Sequence, residues 1–98
     1  MESPDRVGVA GTPGNGPYML LTLRVRNDTV TEMKCETHGC GVTIAAGSML
    51  TEMITNRPLT ECRSITVEQL TQALGGVPSD KAHAPSLAVA ALNNALNG

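Results

Sequence analysis

Thr37-His38-Gly39-Cys40-Gly41-Val42-Thr43-Ile44-Ala45-Ala46-Gly47-Ser48-Met49-Leu50 is the stretch that decides the fold. Up to Thr37 the chain alternates apolar and polar residues. From Val42 the apolar residues fall at 42, 45, 46, 49, 50, 53 and 54, the spacing of one helix face. The change of period marks a strand running into a helix. Cys40 sits at the junction between two glycines, which permit a sharp turn and leave the sulfur unshielded. A helix beginning just after Cys40 directs unpaired N–H groups toward that sulfur. A thiol so placed ionises more readily than a free one, and the thiolate is the form that binds metal or attacks sulfur. Ala45, Ala46 and Gly47 are small, so the helix can approach a sheet closely.

Working back from this junction, Met19, Leu21, Leu23 and Val25 alternate with Leu20, Thr22, Arg24 and Arg26, as in a half-buried strand. Asn27-Asp28 is a two-residue turn. A second strand spans Thr29 to Thr37, with Met33 and Cys35 on one face and Glu32, Lys34 and Glu36 on the other. Cys35 therefore reads as a core residue. Before these strands, Gly11-Thr12-Pro13-Gly14-Asn15-Gly16-Pro17 is a loop. It lacks the Gly-Lys-Ser or Gly-Lys-Thr ending of a phosphate-binding loop.

Working forward, Asn56-Arg57-Pro58 ends the helix, and Leu59 to Ser64 is a short connection in which Cys62 packs locally. Thr66 opens a capping box with Gln69. Val67, Leu70 and Leu74 form one apolar stripe, and Gly75-Gly76 stops that helix. The last helix buries Leu87, Ala88, Ala91, Leu92, Ala95 and Leu96. Pro85 belongs in its first turn, which starts it near Ala84 and leaves His83 at its mouth. Strands first and helices after give an α+β fold, a small antiparallel β-sheet with helices packed on one face. The 98 residues suit one domain, 1–98.

Composition narrows the function. Tyr18 is the single aromatic residue, so the core is aliphatic. Net charge is −2 and the basic residues are scattered, which speaks against nucleic-acid binding. No apolar run approaches the ~18 residues of a membrane span. Met1-Glu2-Ser3-Pro4-Asp5 is acidic and unlike a signal peptide. Three cysteines at irregular spacing do not make a disulfide framework. These features point to a reducing, cytoplasmic setting.

Three landmarks carry a family resemblance. Ser3-Pro4-Asp5-Arg6-Val7-Gly8 resembles the Asn-Pro-Arg-Asn-Val-Gly entry of the NifU N-terminal/IscU-like iron–sulfur cluster assembly scaffold family. Thr37-His38-Gly39-Cys40-Gly41 resembles its Thr-Tyr-Gly-Cys-Gly turn. Val77-Pro78-Ser79-Asp80-Lys81-Ala82-His83-Ala84 resembles its Leu-Pro-Pro-Val-Lys-Leu-His-Cys stretch. The likeness covers nearly the whole chain, without the family's N-terminal helix and with a shorter link between Gly8 and Tyr18.

The resemblance implies a scaffold that holds a nascent iron–sulfur cluster, or zinc, with three cysteines, an Asp and a His. It also implies a cysteine desulfurase as partner. Cys40 matches the second cysteine and His83 the histidine. Asn15 stands for the first cysteine, Pro17 for the aspartate and Ala84 for the third cysteine. Cys35 and His38 are secondary candidates, in the place of a core aromatic and of the family tyrosine. Ser79 and Asp80 interrupt the apolar run that recruits an Hsp70-type chaperone. The expectation is a non-enzymatic binding or accessory protein with a degenerate site, whose metal or cluster is weak or absent in a monomer. An oligomer sharing Cys40 and His83 between chains remains open. A metal-free interaction module is the alternative, and Cys–His thiol chemistry a third reading.

Overall fold

A computed structural model describes residues 3–12, 14, 16–39 and 41–97. Strands β1 (Arg6–Gly11), β2 (Tyr18–Arg26) and β3 (Thr29–His38) form an antiparallel sheet in the order β1-β2-β3. Helices α1 (Gly41–Ile54), α2 (Leu59–Cys62), α3 (Val67–Ala73) and α4 (His83–Asn97) follow, with a 3₁₀ turn at Ser79–Lys81. The α+β arrangement is the expected one. Among the described residues no helix is long and apolar enough to cross a membrane.

The inward face of β2 is the alternation read from the sequence. Met19, Leu21 and Leu23 are fully buried and Val25 packs beside them. They meet Leu50 and Ile54 of α1 and Leu92 and Leu96 of α4, all buried in the same cluster. Each such side chain contributes about 1.5–3 kcal/mol by leaving water.

Asn27 and Asp28 both take positive φ, which makes the tight hairpin turn. Continued without interruption, that turn would pair Tyr18 with Thr37. A register shift at Arg24/Val25 moves the pairing by one residue, so Tyr18 faces His38 and Leu21 faces Cys35. The apolar pattern of β3 requires this. Val30 and Met33 are both buried but lie three positions apart, which alternation alone cannot put on one face. A bulge between them restores the phase.

β1 is a strand absent from the sequence expectation. Its inward residues are Gly8 and Ala10, too small to print an apolar pattern, while Val7 and Val9 face outward and stay exposed. The small residues let α4 lie directly on β1. A Cβ on Gly8 would overlap Ala91 O and Ala95 N of the helix backbone. Asn94 Nδ2 donates to Val9 O at 2.8 Å across the same contact.

The helix limits follow the local chemistry. Asn56, in the left-handed region, ends α1. The Thr66–Gln69 capping box opens α3, with Gln69 N donating to Thr66 Oγ1 at 3.1 Å and Thr66 N donating to Gln69 Oε1 at 2.9 Å. Gly75 and Gly76, both at positive φ, close it. Pro85 is buried in the first turn of α4, two residues after His83.

Candidate functional site

Three segments leave from one end of the sheet. Gly11 ends β1 and pairs with Tyr18, which begins β2, so the loop between them opens and closes there. Tyr18 in turn pairs with His38, the last residue of β3, and Gly39 leads to α1 at Gly41. α4 runs antiparallel to β1: Arg6 Nη1 donates to Leu96 O at 2.7 Å, and Gly8 sits against Ala91 and Ala95. Eight residues of helix before Ala91 span about 12 Å. Three residues of strand beyond Gly8 span about 10 Å. His83 thus comes level with the Gly11 end.

The first turn of α1 and the approach to α4 also touch. A cavity of about 190 Å³ lies between them, lined by Gly41, Val42 and Ala45 on one side and by Leu74, Gly76, Val77 and Pro78 on the other. Gly39 is held close to the same turn, since a Cβ there would press on Thr43 Oγ1 at 2.9 Å. Thr43 itself is buried.

His83 is exposed at the first position of α4, and Ala84 beside it is fully buried. The Ala84 side chain therefore sits in the core and offers no donor atom. Pro17 is exposed in the first loop. Cys40 and Asn15 lie outside the described residues, and their placement relative to His83 is left as an expectation.

The secondary candidates do not join His83 in a cluster. His38 stacks on Tyr18, with ring centroids 6.0 Å apart and planes 15° from parallel, on the outer face of the sheet. Cys35 points the other way, against α1, where a Cβ on Gly47 would approach its Sγ to 2.6 Å. Burial pushes the Cys35 thiol up, and Glu36 adds to the shift. Cys35 is only half-buried, however, whereas Cys62 is fully buried. Of the two described thiols Cys62 is thus the more sequestered; Cys35 faces the core as strand alternation reads it but is only partly buried there, which corrects its place as the most buried thiol. Cys62 Sγ lies 3.8 Å from both Ile54 O and Arg57 O. Its thiol is raised by burial and by Glu61, against the opposing pull of Arg57 and its own backbone hydrogen bond.

Among the described residues no three His, Cys, Asp or Glu side chains gather as a metal site. A closed structural zinc site uses four protein ligands, and clusters are held by thiolates with occasional imidazoles. Among the described residues, the start of α4 supplies one such donor, the exposed His83 imidazole, beside the buried Ala84.

The NifU-like N terminal domain model matches residues 1–98. This chain belongs to that family. It is 36% identical over 96 residues to iron–sulfur cluster assembly scaffold protein IscU 1 of Archaeoglobus fulgidus, covering 98% of this chain and 63% of the relative. It is also 36% identical over 98 residues to the scaffold protein IscU of Aquifex aeolicus, covering 98% of this chain and 62% of that one. The chain therefore spans somewhat less than two thirds of these relatives. A nitrogen-fixing NifU-like protein (N-terminal) from Brucella abortus has the same fold, with a TM-score of 0.70 at 18% identity over 99% of this chain and 78% of that chain.

Tyr18 was not a site candidate in the sequence. Its stacking on His38 follows from the hairpin register, which the mismatch between Val30 and Met33 could have revealed.

Proposed function

We propose that this chain is an iron–sulfur cluster assembly scaffold-like module with a degenerate cluster site, acting as a binding or accessory protein and not as an enzyme. Ala84 carries this reading. The resemblance sets Ala84 in the place of the family's third cysteine, and its methyl group has 0% exposure. Asn15 and Pro17 stand for the first cysteine and the aspartate. Cys40 and His83 are the residues left to meet the cluster as cargo, Cys40 as thiolate and His83 as imidazole. Two ligands forgo most of the chelate stabilisation of a closed site. The family resemblance implies a cysteine desulfurase as partner, and the composition of the chain favours a cytoplasmic setting.

The same buried alanine supports a second reading, a metal-free interaction module built on the scaffold frame. Anaerobic reconstitution with iron and sulfide, followed by metal counting and light scattering, separates the two. The first reading expects no stable cluster on a monomer. A cluster found only on a dimer, and lost in both Cys40→Ser and His83→Ala, supports a site shared between two chains. A stable cluster on the monomer overturns the degenerate site. No cluster in any state favours the interaction module.

A further inference from the structure

The far end of the sheet carries a different kind of chemistry. Arg6, at the start of β1, and Arg63, just after α2, are scattered in the sequence but converge on one atom. Arg6 Nη1 donates to Leu96 O at 2.7 Å, and Arg63 Nη2 donates to the same oxygen at 3.0 Å. Both arginines line a cavity of about 330 Å³ with Asp28, Pro58, Leu59 and Thr60. We propose that this cavity is a binding site for a small phosphate-class oxyanion held between Arg6 and Arg63.

The charges favour this occupant. Two like charges brought onto a single acceptor repel each other, and the Leu96 carbonyl, at the C-terminal end of α4, offsets them only by the partial negative charge of the helix end. A guanidinium has five N–H donors in a planar fork, and capping the end of α4 uses one from each arginine. Among the described residues neither arginine has a carboxylate partner; the ion pairs are Arg24–Glu32 and Arg57–Glu61. Nearby Asp5 is occupied elsewhere, its Oδ2 accepting from Val25 N at 2.8 Å. Asp28 faces the cavity without pairing to either arginine, so two positive charges meet one negative charge there. A singly charged oxyanion such as dihydrogen phosphate, accepting from both forks, balances the site, in the geometry that makes arginine suited to phosphate.

Size points to a small ligand. The cavity is at the lower end of the ~300–1,000 Å³ range of small-molecule sites. The larger cavity of about 560 Å³ beside α3 is lined by Arg57 and Glu61. Its arginine already has a carboxylate within 3.9 Å, so it makes no comparable demand for an anion.

Titration of the full chain with inorganic phosphate at constant ionic strength, read by calorimetry and by phosphorus NMR, tests the site. Constant ionic strength removes general screening from the signal. Saturable binding of one phosphate per chain is expected, at least tenfold weaker in Arg63→Gln and in Arg6→Gln. Arg63→Lys keeps the charge without the fork and should fall between wild type and Arg63→Gln. Asp28→Asn removes the opposing carboxylate and should tighten binding severalfold, an effect that loss of folding cannot imitate. Acetate at matched ionic strength distinguishes a carboxylate ligand from a phosphate, and should compete poorly. Non-saturable phosphate binding, equal affinity in wild type and Arg63→Gln, or weaker binding in Asp28→Asn would each overturn the proposal.

Discussion

The β1–α4 contact and the His83 end of the sheet belong to the same molecule but differ in the side chains they carry. Along β1 the chain keeps residues that only a specific fold requires: Gly8 where the helix backbone touches the strand, and Ala91 and Ala95 opposite it. At the other end the frame continues to His83 and Gly39, yet Ala84 offers no donor. The difference separates what holds the scaffold from what a scaffold holds. Packing and ligation rest on different side chains, so the proposed loss of ligands leaves the packing of the frame untouched.

Substitutions in the frame should therefore dominate stability. Leu23→Asp places a charge at a fully buried position with no partner, and should destabilise by more than about 4 kcal/mol. Chemical denaturation reads this directly, and a wild-type midpoint would refute the register of β2. Gly8→Ala comes next. Its methyl meets backbone of α4 rather than a movable side chain, so a loss of about 3 kcal/mol is expected, at the upper end for overpacking.

Gly47→Ala should cost less, about 1–2 kcal/mol, because the new methyl presses on the half-buried Cys35 sulfur. Adding Cys35→Ala should recover part of that loss. Additive destabilisation in the double variant would place the close contact of α1 elsewhere. By contrast His83→Ala, at an exposed helix start, should leave the melting curve within about 0.5 kcal/mol of wild type. A large loss there would give His83 a structural role and weaken the distinction between frame and site.

Much of the frame was legible in the sequence. β2, the Asn27-Asp28 turn, α1 and the Thr66–Gln69 cap each announce themselves by period or by capping chemistry. β1 did not, because its buried positions are Gly8 and Ala10, whose role is close approach rather than hydrophobicity. The bulge in β3 was hidden for a related reason: Val30 and Met33 conflict only once the strand is known to have one buried face. The convergence of Arg6 and Arg63 was illegible altogether, since it depends on where α4 ends. For the site, the sequence named Cys40 and His83. The fold brings His83, Gly39 and Gly41 to the same end through the antiparallel run of α4 on β1.

Thiol labelling measures the smallest effect. Brief iodoacetamide treatment at neutral pH should modify Cys40 first, Cys35 more slowly and Cys62 last. The thiolate is the reacting form, and the raised Cys35 and Cys62 thiols remain protonated there. Raising the pH above the ordinary thiol value of 9.0 should speed Cys35 before the fully buried Cys62. Early modification of Cys62 would mean that the α2 region opens readily.

The most direct test of the proposed degenerate site supplies the donors that the family resemblance implies. Zinc binding per monomer should be compared between wild type and a chain carrying Asn15→Cys, Pro17→Asp and Ala84→Cys. If the frame is intact and the ligands alone are missing, wild type retains far less than one zinc per chain, and the restored chain retains one. A full zinc ion on the wild-type monomer, or no gain in a correctly folded restored chain, would contradict the account.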